Sequence, residues 1–335
     1  MLRGRVELPR FESAILAGNR LGDPAEREVL VYLPPGYDDD AGRRYPLMMV
    51  LPPYAAGHRS LLNYKVWEPD LFERYERLLA AGAVGEAILV SPDCMTRWGG
   101  SQFVDSSVLG AYQRYVVDEV LPFVDGRYRT VPKREARAVL GRSSGGFGAL
   151  RLALDRPEAF AVYGSHAGDC AFEVSLRPSF TSVAITLDRA GGAKAFLEAF
   201  AERGPRSGGD FEAIMTLASA AAYAPEPDAP FPHLALPFDP RTATVVPDVW
   251  ERWLAHDPLV RLDADPAALK DAALVFLDAG DRDEHGLHFG ARMLAERLRD
   301  RGVEVVHEEF PGGHRGTAYR FEASLPKLGA ALATP

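Results

Sequence analysis

The sequence predicts an α/β protein: a mostly parallel central sheet with helices on both faces, interrupted by an inserted helical, proline-rich cap. Three observations carry that prediction. Apolar runs of strand length alternate with helical patterns from residue 45 to 164, and the alternation resumes from 273 to 310. One strand-to-helix junction reads Val139-Leu140-Gly141-Arg142-Ser143-Ser144-Gly145-Gly146-Phe147-Gly148, a serine between glycines. Between the two alternating stretches the composition turns to proline, glycine and alanine, with seven prolines between Ala224 and Asp248. A structureless loop of that length does not fit a compact domain, so the stretch is expected to fold as a partly helical cap. The expected division is a core of residues 1–168 and 258–335 with a cap of residues 169–257.

Taken in order, Arg5 to Leu8 and Ser13 to Leu16 are strand-like segments parted by Pro9, and Glu28 to Leu33 is a clearer strand stopped by Pro34-Pro35-Gly36. They suit an antiparallel opening or edge. Tyr45 to Leu51 is a continuous apolar run, the mark of a central parallel strand buried on both faces. It ends in the small-residue loop Pro52-Pro53-Tyr54-Ala55-Ala56-Gly57. Lys65 to Ala81 has helical periodicity through Trp67, Leu71, Tyr75, Leu78 and Leu79, stopped by Gly82, and Ala87 to Val90 is the next strand. A loop from Ser91 to Phe103 leads to a helix expected to be capped by Ser106 or Ser107 and to run through Val120. Ala136 to Leu140 is a strand, Gly146 to Leu154 its helix, and Ala161 to Gly164 another strand. Inside the cap, helical patterns cover Lys194 to Glu202 and Phe211 to Tyr223. The sheet resumes at Ala273 to Asp278, followed by a helix on Leu287, Ala291, Leu294 and Leu298 and a final strand from Val303 to Phe310.

Bulk properties exclude several classes of function. The chain has 335 residues, 47% of them hydrophobic and 25% charged, with a net charge of -9. No basic cluster is interleaved with aromatics, so no nucleic-acid partner is expected. Cys94 and Cys170 cannot form a disulfide framework and have no metal-ligand spacing, and they read as small buried fillers. The first residues lack an apolar signal core, and no segment reaches the uninterrupted apolar length that spans a bilayer. A cytoplasmic location and no membrane association are the expectation. His285 and His288 with Asp281 and Glu284 do not make a defined ligand set, so neither metal nor cofactor is expected.

The serine junction carries the chemistry. A serine in a strained turn at the end of a central strand points its hydroxyl into a cleft, and any Cβ at Gly141 or Gly145 would collide where strand and helix cross. Ser143 is therefore the candidate nucleophile. Ser144 begins a helix with a free backbone N–H, suited to stabilising an oxyanion. Such a serine needs a base, and the base needs a carboxylate that fixes its tautomer. In a sheet of this kind all three come from loops at the C-terminal ends of strands. Of the eight histidines, His314 follows the last strand in the glycine turn Pro311-Gly312-Gly313 and fits best. For the acid, the stretch after the preceding strand offers Asp278, Asp281, Asp283 and Glu284; Asp278 is still in the strand, while Asp283 meets the following helix, where it is either the partner of His314 or a helix cap beside a functional Asp281.

These segments resemble the putative-esterase branch of the α/β-hydrolase superfamily, which includes S-formylglutathione hydrolase, the enterochelin and feruloyl esterases and the mycolyltransferases. The resemblance rests on Gly141 to Leu150, on Leu277 to Glu284, on Pro311 to His314 and on Tyr32 to Tyr54, so it spans the sheet on both sides of the cap. It implies an α/β-hydrolase fold and a serine ester hydrolase acting on a small-molecule ester, with an acyltransferase or thioesterase as the alternative and a non-catalytic binding protein as a remoter one. In that family the acid stands three positions beyond the glycine ending the penultimate core strand, which selects Asp283. The resemblance also implies that the backbone N–H of Tyr54, after Pro52-Pro53, is the second oxyanion donor with Ser144. Trp98, Gln102 and His166 are expected in loops near the cleft, as substrate contacts or as loop supports. The cap is expected to fold over the cleft. Its apolar residues, among them Phe196, Phe211, Ile214, Met215, Trp250 and Trp253, should pack on the sheet domain or on a second copy of the chain and partly line the pocket.

Overall fold

The computed structural model describes residues 2–63, 65–265 and 267–333. In chain order the strands are β1 (Arg5–Glu7), β2 (Arg10–Glu12), β3 (Glu26–Leu33), β4 (Leu47–Leu51), β5 (Ile88–Pro92), β6 (Asp105–Ser106), β7 (Gly110–Ala111), β8 (Arg137–Arg142), β9 (Val162–His166), β10 (Leu274–Gly280) and β11 (Val305–Phe310). The main sheet runs β1-β3-β5-β4-β8-β9-β10-β11, with β2 also paired to β3. From β5 to β11 every pairing is parallel, while β1, β2 and β5 are antiparallel to β3. This is the mixed, mostly parallel sheet of an α/β-hydrolase, with helices on both faces.

Strand alternation divides the interior in two. Leu47, Met49 and Leu51 of β4 join a core shared with Val139, Tyr163 and Val275, whereas Met48 and Val50 face a second core with Leu140, Val162 and Phe276. Successive side chains point to opposite faces, and β4 is buried on both, so its continuous apolar run is the necessary sequence. The second core is closed by the helices Leu71–Ala80 and Phe321–Ala331. The first is covered by the helices Ser144–Asp155 and Leu287–Asp300 and by the insertion between β9 and β10.

That insertion contains the helices Phe180–Arg189, Ala193–Arg203, Gly208–Tyr223 and Pro247–Leu254. Phe196, Ile214, Leu217, Trp250 and Trp253 are buried in the same continuous core as Val139. Their apolar surface is taken up within this chain.

Three local expectations are corrected. Ser13 to Leu16 is a turn: Glu119 accepts the backbone N–H groups of Ala14 and Ile15 and the Ser13 hydroxyl, which competes with strand pairing. The helix expected from Lys65 begins only at Leu71, because Pro69 disfavours helical backbone before it and Asp70 caps the helix in a reciprocal box with Glu73. Trp67 is left 94% exposed outside that helix. Ser106 caps no helix; its oxygen accepts the N–H groups of Val108 and Leu109 in the turn between β6 and β7, and its hydroxyl donates to Ala221. The helix starts at Tyr112 and continues through a π-turn, Tyr115–Val120, to Arg127. Within the described residues no helix is long and apolar enough to cross a membrane, and no cluster of His, Cys, Asp and Glu is arranged to hold a metal.

Candidate active site

Register brings the site together. Leu51 of β4 stands opposite Gly141 of β8, so the chain emerges from the two neighbouring strands at Tyr54 and Ser143 side by side. Gly280 of β10 stands opposite Phe310 of β11, so the loops bearing Asp283 and His314 leave the same edge. Parallel pairing is what puts all these C-terminal strand ends together.

Ser143 sits at φ 56°, ψ -125°, a backbone conformation that costs a non-glycine residue energy and turns its hydroxyl out of the strand line. The turn is possible because its neighbours lack side chains. A Cβ on Gly145 would lie 2.0 Å from the carbonyl oxygen of Leu51, and one on Gly141 would lie 2.4 Å from the carbonyl carbon of Gly145. The Ser143 N–H is held by the carbonyl of His166 at 2.8 Å, which ties the turn to the neighbouring strand.

The Ser143 hydroxyl is 3.0 Å from Nε2 of His314, and Nδ1 of His314 is 2.8 Å from Oδ2 of Asp283. The Asp283 carboxylate is shielded from solvent, and its other oxygen accepts the N–H of His285 at 2.9 Å. Burial pushes its carboxyl upward, but the hydrogen bond and charge of His314 outweigh that and hold it below the usual carboxylate range. Asp281 has a different task, accepting the N–H of Gly312 at 3.0 Å. Asp283 does not cap the following helix either, whose N-cap is Gly286.

Glu284, which the sequence did not single out for this purpose, accepts the backbone N–H of His314 at 2.7 Å. The His314 loop is thus pinned by Asp281, Asp283 and Glu284, three carboxylates of a single preceding turn. A carboxylate-rich segment ahead of a glycine turn is a weak signal for such pinning. His285 stacks edge-on against His314 with ring centroids 4.9 Å apart.

Tyr54 and Ser144 present backbone N–H groups that donate to no other described group, Ser144 because it is the first residue of its helix. The Tyr54 side chain is turned away and donates to the carbonyl of Trp98. Trp98 and Gln102 do lie in the loop before β6, but behind Tyr54: Trp98 packs on Phe231, and Gln102 is within 3.3 Å of the Ser219 hydroxyl. Both are buried, and neither lines the cavity onto which Ser143 opens.

His166 departs further from expectation. It is the last residue of β9 and not part of a loop, and its ring lies in the sheet's second core against Phe276 and Phe321. Its Nδ1 meets Asp278 at 2.7 Å and its Nε2 the Ser324 hydroxyl at 2.9 Å. The reason is strand alternation: His166 and Asp278 are in register on adjacent strands, and both side chains enter the second core, away from the cavity.

The cavity beside Ser143 and His314 has a volume of about 640 Å³. Its roof comes from the insertion, with Phe180, Phe211, Met215 and Trp253; Asp169, near the start of the same insertion, Arg142 and Leu287 also line it. Asp169 has no hydrogen-bond partner among the described residues, and burial raises its carboxyl to about 6, with His314 opposing and Asp283 and Asp257 reinforcing the rise. Neither Asp169 nor Arg142 was singled out from the sequence, because nothing in their local spacing tells that they would reach this cavity.

A serine hydroxyl bonded to an imidazole, a carboxylate on the far imidazole nitrogen and two free N–H groups beside the serine can deprotonate that hydroxyl and stabilise an oxyanion on an attacked carbonyl. The family model described as Putative esterase matches residues 20–331 of this chain. Esterase Rv1288 of Mycobacterium tuberculosis (strain ATCC 25618 / H37Rv) is 36% identical over 69 residues, which are 21% of this chain and 14% of that protein. The chain therefore aligns to a small part of that relative's length. Among solved structures, a ferulic acid esterase superposes with a TM-score of 0.64 at 18% identity, over 99% of this chain and 100% of that one. FphF, a fluorophosphonate-binding serine hydrolase of Staphylococcus aureus in substrate-bound form, gives 0.60 at 16% identity over 98% and 99%. An S-formylglutathione hydrolase from Agrobacterium tumefaciens gives 0.59 at 15% identity over 99% and 97%. At these identities the structural likeness concerns the fold.

Proposed function

This chain belongs to the Putative esterase family, and from that premise we propose that it hydrolyses carboxylic esters through an acyl-enzyme on Ser143, with small to medium acyl esters as substrates. The observation that carries the reading is the unbroken hydrogen-bond chain from Asp283 through His314 to Ser143.

In this mechanism Ser143 Oγ attacks the ester carbonyl while His314 Nε2 takes its proton. The imidazolium that forms is stabilised by the Asp283 carboxylate, already held ionised below its usual range. The tetrahedral oxyanion is met by the N–H groups of Tyr54 and Ser144, each donor of this kind contributing roughly a hundredfold or more to the rate. His314 then delivers the proton to the leaving alcohol, the C–O bond breaks, and the acyl group stays on Ser143. Water, deprotonated by the same imidazole, attacks the acyl-enzyme, releases the acid and returns the proton to Ser143.

Substrate size follows from the roof. Phe180, Phe211, Met215 and Trp253 cover the cavity, so an acyl group of limited length is enclosed, whereas a polymer would have to lie across an open groove. The deciding experiment is labelling with a fluorophosphonate probe, which requires nucleophile, base and access together. Stoichiometric modification mapped to Ser143 and lost in His314→Ala supports the reading; an unlabelled Ser143 in folded protein defeats it.

A further inference from the structure

Arg142 ends β8 immediately before Ser143 and lines the same cavity as Ser143 and His314. Arg27, Arg74 and Arg151, buried elsewhere, and the half-buried Arg137 and Arg320 each hold a carboxylate. Arg142 holds none among the described residues. Its guanidinium donates a single hydrogen bond, to the Thr317 hydroxyl at 3.2 Å. Its other nitrogens are not sealed into the interior, since none is among the buried polar atoms left without a partner. Glu68 is the carboxylate whose field reaches Arg142, but it is bonded to Lys65 at 2.7 Å, and burial still holds the Arg142 guanidinium below its usual range. An arginine taken from water without a counter-ion is costly unless an anion arrives to complete it.

We propose that Arg142 is a specificity-determining residue that binds a carboxylate on the alcohol half of the ester, a refinement that rests on the acyl-enzyme reading above. The alcohol half is assigned by geometry. Thr317, the partner of Arg142, stands in the loop that carries His314, and His314 is the group that must hand a proton to the departing alcohol. Arg315, exposed and next to His314, lines the same cavity and has no ion pair among the described residues. The cavity's own carboxylates have other neighbours: Asp169 lies in the field of His314, Asp283 and Asp257, and Glu212 receives the Ser182 hydroxyl at 2.9 Å. A carboxylate on the leaving group would meet the planar guanidinium with two parallel N–H bonds, the geometry arginine offers best.

The test compares 4-acetoxybenzoate with 4-acetoxybenzamide, esters with the same acyl group and ring, after correction for their rates of alkaline hydrolysis. The wild-type enzyme should favour the benzoate in kcat/KM by about tenfold or more. The preference should shrink as salt rises from about 0.05 M to about 0.5 M. It should fall near unity in Arg142→Met and be partly kept in Arg142→Lys. Protection of wild-type Ser143 from fluorophosphonate by 4-hydroxybenzoate, but not by 4-hydroxybenzamide, gives the same answer without turnover and without depending on how the variants fold. Equal kcat/KM for the two esters and equal protection by the two phenols, or a preference that survives Arg142→Met, overturns the proposal while leaving the acyl-enzyme reading intact. Failure of the probe to modify Ser143 at all would instead remove the reading on which it rests.

Discussion

Asp283 Oδ2 lies 2.8 Å from Nδ1 of His314, while Asp281, in the same turn, spends its carboxylate on the backbone N–H of Gly312. Asp283→Asn should therefore lower kcat severely, by on the order of a thousandfold, because an amide can favour the wrong imidazole tautomer. Asp281→Asn should be far milder, since an amide oxygen can still accept from Gly312. Steady-state kinetics on an activated ester rank the two; the reverse order would reassign the acid.

Ser143 and Ser144 contribute in different ways. Ser143→Ala should abolish turnover of a p-nitrophenyl acyl ester, with a loss on the order of a thousandfold or more. Ser144→Ala should retain substantial activity, because only its backbone N–H is called upon. Comparable losses in both variants would contradict the assignment.

The tight crossing at the serine turn makes a stability prediction. The Cβ of Gly145→Ala would have to occupy a place 2.0 Å from a backbone carbonyl that cannot rotate away. Strand and helix must move apart, at a cost of about 3 kcal/mol or more. Thermal denaturation should show a large fall in Tm, and an unchanged Tm would mean that strand and helix can part at the crossing without cost.

Asp169 sets a pH dependence. Its folded-state carboxyl titrates at about 6, above the ordinary 3.8, so the folded protein prefers the protonated form. The stabilisation is complete below the unfolded value and is lost as pH rises through the folded one. Asp169→Asn, which stays neutral, should therefore raise Tm by about 1–3 °C near pH 8. The gain should vanish as pH falls toward about 4. Differential scanning calorimetry of both proteins across that range decides the matter; a gain independent of pH would point to packing and not to charge.

Met215 offers a handle on substrate size, since it lines the cavity from the roof. Met215→Ala should shift the preferred acyl chain of soluble esters upward, and Met215→Trp should shift it downward, by about one to three carbons for the volume changed. An acyl-length series that keeps the same optimum in both variants would show that the roof does not bound the acyl group.

Much of this architecture was legible in the chain because it is decided by neighbours in sequence. A continuous apolar run such as Leu47–Leu51 can only be a strand covered on both sides, and its odd and even residues do enter separate cores. The serine turn is similarly local: Gly141 and Gly145 are demanded by sterics within a few residues of Ser143. His314 was singled out by its place after the last strand, and the structure brings it within 3.0 Å of Ser143.

What only the tertiary structure decided is which side chain meets which partner. Asp281 and Asp283 are chemically alike and two positions apart, and only the β10–β11 register tells which reaches the imidazole. His166 lies in the opposite core and not in the cleft because one residue of strand phase separates the two faces. Trp67 fits a helical period yet stands in solvent, because Pro69 and the Asp70 cap outweigh periodicity. Arg142 pairs with no carboxylate among the described residues, and that can be read only once the other charged groups have been given their positions. Local sterics and hydrophobic periodicity are written in consecutive residues, whereas the pairing of charges and hydrogen bonds depends on distances between strand ends that no short stretch of chain contains.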